Sequence, residues 1–534
     1  GVHLAFVLGM IFLVFAFSAS SADRDVKSSI LNPGGVPLVD WLLAGACALS
    51  VLYIPYVFDD LMFRVGNPSN MDVIMGSILF ISLLEATRRS MGWPLPLIAI
   101  GFTAYALLGP YFPGLLKHAG ANWSMMINHQ YLTSQGIYGV AVGVVATYVF
   151  HFVLFGVMAT RIGLGQLFLD LASSVAGRYA GGPAKVSVFG SALFGMLSGS
   201  SVANAVTVGS LTIPAMIRVG YKKHFAAAVE AASSTGGQIT PPVLGAAAFL
   251  MIEFLNVPYQ TIIAASVVPA FMHFFGVFMQ VHFEAKRYGL RGLTEDEMPR
   301  LAESLKMRWP TLIPLALLIS ILVSGRTPYL AAFVGISSCA IVGLSTKVSG
   351  NQLKNWGLMV VMHVILMTIA FSDFGNHNST IKLGLFALAV AVGAVAYIWA
   401  GVRGRIEAHV LVEALETGAK YALAVGAAAA TVGIVIGVVT LTGVGFKISY
   451  IITQAAQTIS AFMGGFIPTD WASANTLTLL AALIMTGLVC VLMGCGVPTT
   501  ATYIIMVSVA APTLVNLGVA VSYTHLRAHE TLMN

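Results

Sequence analysis

The sequence predicts an all-α polytopic membrane protein built on an inverted repeat with two re-entrant helical hairpins. Three observations carry that prediction. Of 534 residues, 57% are hydrophobic and 9% charged, and the mean hydropathy is +0.87. Apolar runs long enough to span a bilayer recur along the chain. Two further apolar stretches are too long for one helix, and each is broken by small and polar residues at its middle.

Charge is scarce for a physical reason. A soluble domain carries about 25% charged residues. An Asp, Lys or Arg at the centre of a spanning helix costs roughly 2.5–3.5 kcal/mol, so a chain living in lipid sheds them. The net charge of +6 does not point to nucleic acid: the basic residues sit in short clusters between apolar runs, without an aromatic-interleaved basic face. Cys47, Cys339, Cys490 and Cys495 all lie in apolar runs with no histidine cluster nearby, so they read as small packing residues and no transition-metal site is expected.

The spanning runs fall at about 4–19, 38–58, 72–87, 93–113, 138–160, 241–256, 260–282, 309–325, 328–346, 355–372, 380–401 and 420–442. The first, followed by Ser18-Ala19-Ser20-Ser21-Ala22, has the outline of a signal peptide. No basic segment precedes it, so it reads better as an incomplete spanning helix. The broken stretches are 184–217 and 474–518, while 161–180 and 444–462 are more polar and read as interfacial. The charged stretch 283–308 reads as a solvated connector. With both broken stretches entering and leaving on one side, Lys and Arg partition roughly 21 against 5 between the two faces. The richer face is then cytoplasmic.

The broken stretches resemble each other at an offset of 298: Ala203 matches Ala501, Pro214 matches Pro512, Gly220 matches Gly518, and Ser201 faces Thr499. Upstream, Gly163-Leu164-Gly165 matches Gly443-Val444-Gly445. By the charge partition the first hairpin enters from the cytoplasm and the second from outside, which is the inverted repeat of alternating-access carriers.

Non-helical backbone at membrane depth must be buried in protein or line a wet cavity. The first break is Leu197-Ser198-Gly199-Ser200-Ser201-Val202-Ala203-Asn204, and the second runs from Met493 to Ala501. Freed carbonyls and Ser, Thr or Asn oxygens suit an alkali cation, and the helix N-termini that follow favour a carboxylate. A small-residue helix contact would use the same residue types, but two such clusters at matching points of a repeat point to ion or substrate binding. A third cluster, Ser233-Ser234-Thr235-Gly236-Gly237-Gln238-Ile239-Thr240-Pro241-Pro242, cannot continue a regular helix. It reads as an unwound point sharing a cation site with the first hairpin. Glu253 and Asp170 read equally as interfacial or functional, and His151, His273 and His363 as packed histidines.

Gly199-Ser200-Ser201-Val202-Ala203-Asn204, Ser234 to Pro242, and Gly496-Val497-Pro498-Thr499-Thr500-Ala501 together resemble the large (DctM-like) membrane subunit of tripartite ATP-independent periplasmic (TRAP) transporters. The Gly-Gly-Gln-Ile-Thr-Pro-Pro form is similar to the fused, TAXI-type permeases. The resemblance covers about 138–521. Residues 1–120 fit the small four-helix subunit by position and helix count, which divides the chain into 1–120, 121–521 and a tail.

This resemblance implies an elevator mechanism in the bacterial inner membrane. A periplasmic solute-binding protein would deliver a small organic anion, with sodium as coupling ion and no other cofactor. It places sodium at Gly199, Ser200, Asn204, Gly237, Thr240, Gly496 and Thr499, and the substrate region at Ser201, Gln238, Pro498 and Thr500. The polar run Ser522 to Thr531 departs from the family and reads as a foreign tail over 522–534, with the sequence incomplete at both ends. Two other readings stand beside this one. A sodium-coupled carboxylate carrier working without a binding protein has related architecture. A membrane-embedded enzyme or respiratory-complex subunit predicts intramembrane His, Glu and Asp clusters that the sequence does not offer.

Overall fold

The computed structural model describes residues 2–15, 36–255, 257–345, 352–371, 408–464, 473–494, 499–509, 513–514 and 517. The fold is all-α. In chain order its principal helices are α1 (Val2–Val14), α2 (Leu38–Tyr56), α3 (Asn70–Met91), α4 (Pro94–Leu107), α5 (Val140–Arg161), α6 (Leu164–Ala176), α7 (Gly182–Ser198), α8 (Ser201–Arg218) and α9 (Lys223–Gly236). There follow α10 (Ala246–Leu255), α11 (Tyr259–Arg287), α12 (Leu312–Val323), α13 (Pro328–Ser345), α14 (Gln352–Phe371), α15 (Ala408–Thr442), α16 (Val444–Gly464), α17 (Ala474–Gly494) and α18 (Thr499–Val509). Among the described residues, seven helices are long and apolar enough to cross a membrane. This is a multi-pass inner-membrane protein.

The chain forms two compact units, one of residues 1–146, 249–257 and 420–534, the other of 147–248 and 258–419. In the first unit, a buried cluster joins α1, α2, α3 and residues 126–137 to α15. Small residues let the backbones approach: a Cβ on Gly433 would lie 2.6 Å from Gly136 O, and one on Gly426 2.9 Å from a Val7 methyl. Gln130 Nε2 donates to Ile434 O at 2.9 Å, and Thr87 Oγ1 lies 2.6 Å from Thr431 Oγ1. In the second unit, α7, α8, α9 and α11 pack around Ala184, Val188, Met216, Ala226, Val229 and Val281.

The broken stretch 184–217 is a helical hairpin: α7 ends at Ser198, α8 begins at Ser201, and Gly199 between them has φ +55°. In the second broken stretch α17 ends at Gly494 and α18 begins at Thr499. Ser201 and Thr499 are the residues that the 298 offset pairs, so both second arms start at equivalent positions. The upstream match also holds locally. Gly163 (φ +102°) and Gly443 (φ +63°) are both left-handed, and a helix starts at the next residue in each case. Gly165 then packs on Phe194 of α7, and Gly445 on Ser508 O of α18.

Two expected spans come out shorter. The run 241–256 forms a helix only from Ala246, because Pro241 and Pro242 lack N–H donors and Leu244 is left-handed (φ +59°). The run 93–113 is helical to Leu107 and then turns at Gly109–Tyr111. The run 380–401 and the tail 522–534 lie outside the described residues.

Candidate functional site

The site is built from the hairpin α7–α8 and the segment that follows α9. Gly199 closes α7 through its N–H to Gly195 O (3.3 Å), and Ser200 caps α8, its Oγ accepting from Ala203 N at 3.3 Å. Each group is one that a helix end leaves unsatisfied. Ser200 N in turn receives support from Ser198 Oγ at 3.3 Å.

The unwound segment 237–245 lies directly against this break. A Cβ on Gly199 would overlap the carbonyl of Leu244, and one on Gly195 would sit 2.5 Å from Gly237 Cα and 3.0 Å from Thr240 Oγ1. Glycine is needed here both for φ and for room. Side chains lock the two parts: Gln238 Nε2 donates to Ser201 Oγ at 2.7 Å, and Thr240 Oγ1 donates to Gly236 O at 2.8 Å. Gly245 N closes the loop onto Gln238 O at 2.6 Å, and the Tyr259 hydroxyl reaches the carbonyls of Pro242 and Val243.

Asn204 is fully buried, one turn into α8. Its Nδ2 donates to Ser191 O at 3.0 Å, leaving Oδ1 with no hydrogen-bond partner among the described residues. A Cβ on Gly237 would lie 2.8 Å from that Nδ2. The arrangement brings backbone carbonyls, hydroxyls and one side-chain amide close together. Those are hard ligands for a cation and poor ones for a soft metal.

Of the expected site residues, the fold thus gathers Gly199, Ser200, Ser201, Asn204, Gly237, Gln238 and Thr240. Thr499 and Thr500 begin α18 and are half-buried, whereas Gly496 and Pro498 fall outside the described residues.

The isolated ionisable residues find ordinary partners. Asp170 accepts from Gln166 Nε2 (2.9 Å) and pairs with Arg308 (3.4 Å), while Glu253 is exposed. His273 Nε2 is 3.0 Å from Ala232 O, and His363 bridges Met359 O (2.8 Å) and Ser338 Oγ (2.7 Å). His151 stacks edge-on to Tyr329. Cys47, Cys339 and Cys490 are buried, and Cys495 lies outside the described residues.

Sequence reading overlooked Glu230. It is 2% exposed and accepts hydrogen bonds from Ser187 Oγ (2.8 Å), Thr212 Oγ1 (2.5 Å) and Ser234 Oγ (2.8 Å). Its signal was its register: Glu230, Ser234 and Gly237 share one face of α9 at helical spacing.

A polytopic helical protein with a glycine-turned hairpin locked onto an unwound, oxygen-rich segment has the construction of a membrane permease. Comparison with known proteins then fixes the family. Residues 78–372 and 345–529 match the model of the tripartite ATP-independent periplasmic transporter DctM component. The chain belongs to that family, which is one of transporter permeases and not of enzymes.

Among its relatives, the isethionate TRAP transporter permease protein DctMQ of Oleidesulfovibrio alaskensis is 30% identical over 196 residues, 35% of this chain and 30% of that one. The sialic acid TRAP transporter permease protein SiaT of Haemophilus influenzae is 26% identical over 233 residues, 42% of this chain and 37% of the relative. The C4-dicarboxylate TRAP transporter large permease protein DctM of Pseudomonas aeruginosa is 29% identical over 194 residues, 36% and 45% of the two chains. The chain therefore spans less than half the length of each of these relatives.

Proposed function

We propose that this chain is the permease of a sodium-coupled TRAP transporter that imports a small organic anion handed over by a periplasmic solute-binding protein. One observation supports the sodium reading: the break at Gly199 and Ser200 is locked against 237–245, and the buried Asn204 Oδ1 beside it has no hydrogen-bond partner among the described residues. A buried acceptor without a donor is costly, and a sodium ion held by Asn204, Thr240 and the carbonyls near Gly199, Ser200 and Gly237 would offset that cost. Gly496 and Thr499 would serve the second hairpin in the same way. Ser201 and Gln238, at the head of α8, and Pro498 and Thr500, at the head of α18, would meet the substrate carboxylate, since helix N-termini favour anions.

Binding energy from sodium would also hold the hairpin closed on the loop. The hairpin and α9 would then travel as one body, which is what an elevator requires. Residues 1–120 would act as the bracing small-subunit part of a fused permease. The relatives are named for isethionate, sialic acid and C4-dicarboxylates. All are organic anions, and this chain is proposed to share that class without a particular member being assigned.

The test is uptake into proteoliposomes holding the full chain and its binding protein, with and without an inward sodium gradient. Sodium-driven, binding-protein-dependent accumulation is expected. Uptake indifferent to sodium would sink the coupling, and uptake needing no binding protein would move the chain to the class of autonomous sodium-coupled carboxylate carriers.

A further inference from the structure

The hairpin α7–α8 and helix α9 meet along a polar seam with three levels. At one end, Ser187, Thr212 and Ser234 hold the Glu230 carboxylate, and a Cβ on Gly209 would lie 2.8 Å from Glu230 Cγ. At the other end, Gly195, Asn204 and Gly237 pack closely together. Helical register fills the level between. Ser191 lies midway between Ser187 and Gly195 on α7, and Ser233 lies midway between Glu230 and Gly237 on α9. Asn204 reaches into this level, because its Nδ2 bonds Ser191 O.

That middle level is under-satisfied. Ser233 Oγ and Asn204 Oδ1 are each in a fully buried residue, and among the described residues neither has a hydrogen-bond partner, while the buried Ser191 hydroxyl lies beside the Glu230 carboxyl. Nδ2 is committed to Ser191 O, which turns Oδ1 the other way with two lone pairs to fill. Beside these oxygens sits a carboxylate that no described salt bridge reaches.

Three hydroxyl donors orient the Glu230 carboxyl but supply no counter-charge, and ionising a buried carboxyl without one is expensive. Among the described residues, no salt bridge joins a basic group of the packed helices to Glu230. Lys185 of α7 turns to His282 Nδ1 (3.1 Å) and to the rings of Phe278 and Tyr179, and His273 of α11 lies against Ala232 O. Arg218 ends α8, and Lys223 and His224 open α9, two turns from the carboxylate.

We propose that Glu230, with Ser191, Ser233 and Asn204, forms an additional sodium position, apart from those at the hairpin breaks and one level beneath the first, in which Glu230 supplies the negative charge. The chemistry is that of a hard monovalent cation: one carboxylate, one amide oxygen and two hydroxyls, all oxygen and all buried. Asn204 lies at both levels, so the two positions share a side chain and their occupancies are linked. This inference rests on the reading that the hairpin carries the coupling cation.

The experiment is equilibrium binding of radioactive sodium to the purified full-length chain, for the wild type, Glu230→Gln and Ser233→Ala. Glu230→Gln keeps the shape of the side chain but removes its charge and turns one acceptor oxygen into a donor NH2. It should lose one bound ion while retaining the rest. Ser233→Ala, which deletes a single hydroxyl, should raise half-saturation for that ion by about tenfold, and it gives the answer if Glu230→Gln does not fold. Wild-type stoichiometry and half-saturation in the folded variants would overturn the additional position and leave the hairpin site standing. No sodium binding by the wild type would overturn both. Unchanged sodium binding, with pH-gradient-driven uptake lost in Glu230→Gln, would assign the carboxylate to a proton instead and overturn the sodium position.

Discussion

Asp40 in the first compact unit and Glu230 in the second are both buried, and they are held in opposite ways. In the first, Asp40 faces Arg89 at 2.8 Å, Arg89 also holds Glu85 at 2.8 Å, and Arg88 completes the set from the other side of Glu85 at 2.7 Å. The Arg89 side chain is 1% exposed and lies 5.0 Å from the Phe12 ring centre. In the second unit Glu230 has only hydroxyls. A paired charge is finished business: its partner is covalently part of the fold and stays there through any cycle. On the proposed reading, a hydroxyl-held carboxyl beside unpaired oxygens is the place for a cation that arrives and leaves. The first arrangement suits a brace, and the second suits a moving part.

That contrast can be broken most sharply at Arg89. Arg89→Met leaves Asp40 buried without its counter-charge, and should cost about 3–5 kcal/mol. Thermal unfolding of the purified chain should move down accordingly, regardless of sodium. An unchanged midpoint would mean that the network does not brace the unit. Gly199→Val comes next, since it combines a left-handed backbone with overlap on the Leu244 carbonyl. Strain of this kind costs of order 1–3 kcal/mol, and the mark of a site effect is loss of sodium-dependent protection as well as stability. A variant still fully protected by sodium would separate the break from the cation.

Asn204→Ala removes the unpaired amide oxygen together with its bond to Ser191. Sodium half-saturation for uptake should rise about tenfold or more, equivalent to about 1.4 kcal/mol. Wild-type sodium dependence in this variant would refute the ligand assignment. The smallest effect belongs to Arg161 and Glu413, whose side chains are 44% and 39% exposed at 3.6 Å. Glu413→Gln should shift stability by less than about 1 kcal/mol, so a large loss would show that exposure is a poor guide to the role of charge in this unit.

Much of the site was legible because backbone constraints are local. Gly199, Gly237 and the Pro241–Pro242 pair state where a helix must stop, and the break, the unwound segment and the starts at Ser201 and Thr499 all fall there. Glu230 was not legible for the opposite reason. Its register with Ser234 and Gly237 on α9 is a weak local signal, and its meaning comes from Ser187 and Thr212 on other helices. The same holds for Asp170, whose ambiguity was resolved only by Arg308, 138 residues further on.

The sequence alone determined that this is an all-helical membrane protein, where its helices break, and which glycines and prolines break them. Those properties follow from side-chain transfer energies and backbone sterics, which act residue by residue. Tertiary structure decided which buried polar groups are satisfied and which are left waiting. That depends on which helix faces meet, so Asn204 Oδ1 and the Glu230 carboxylate acquire their significance only when α7, α8 and α9 pack together.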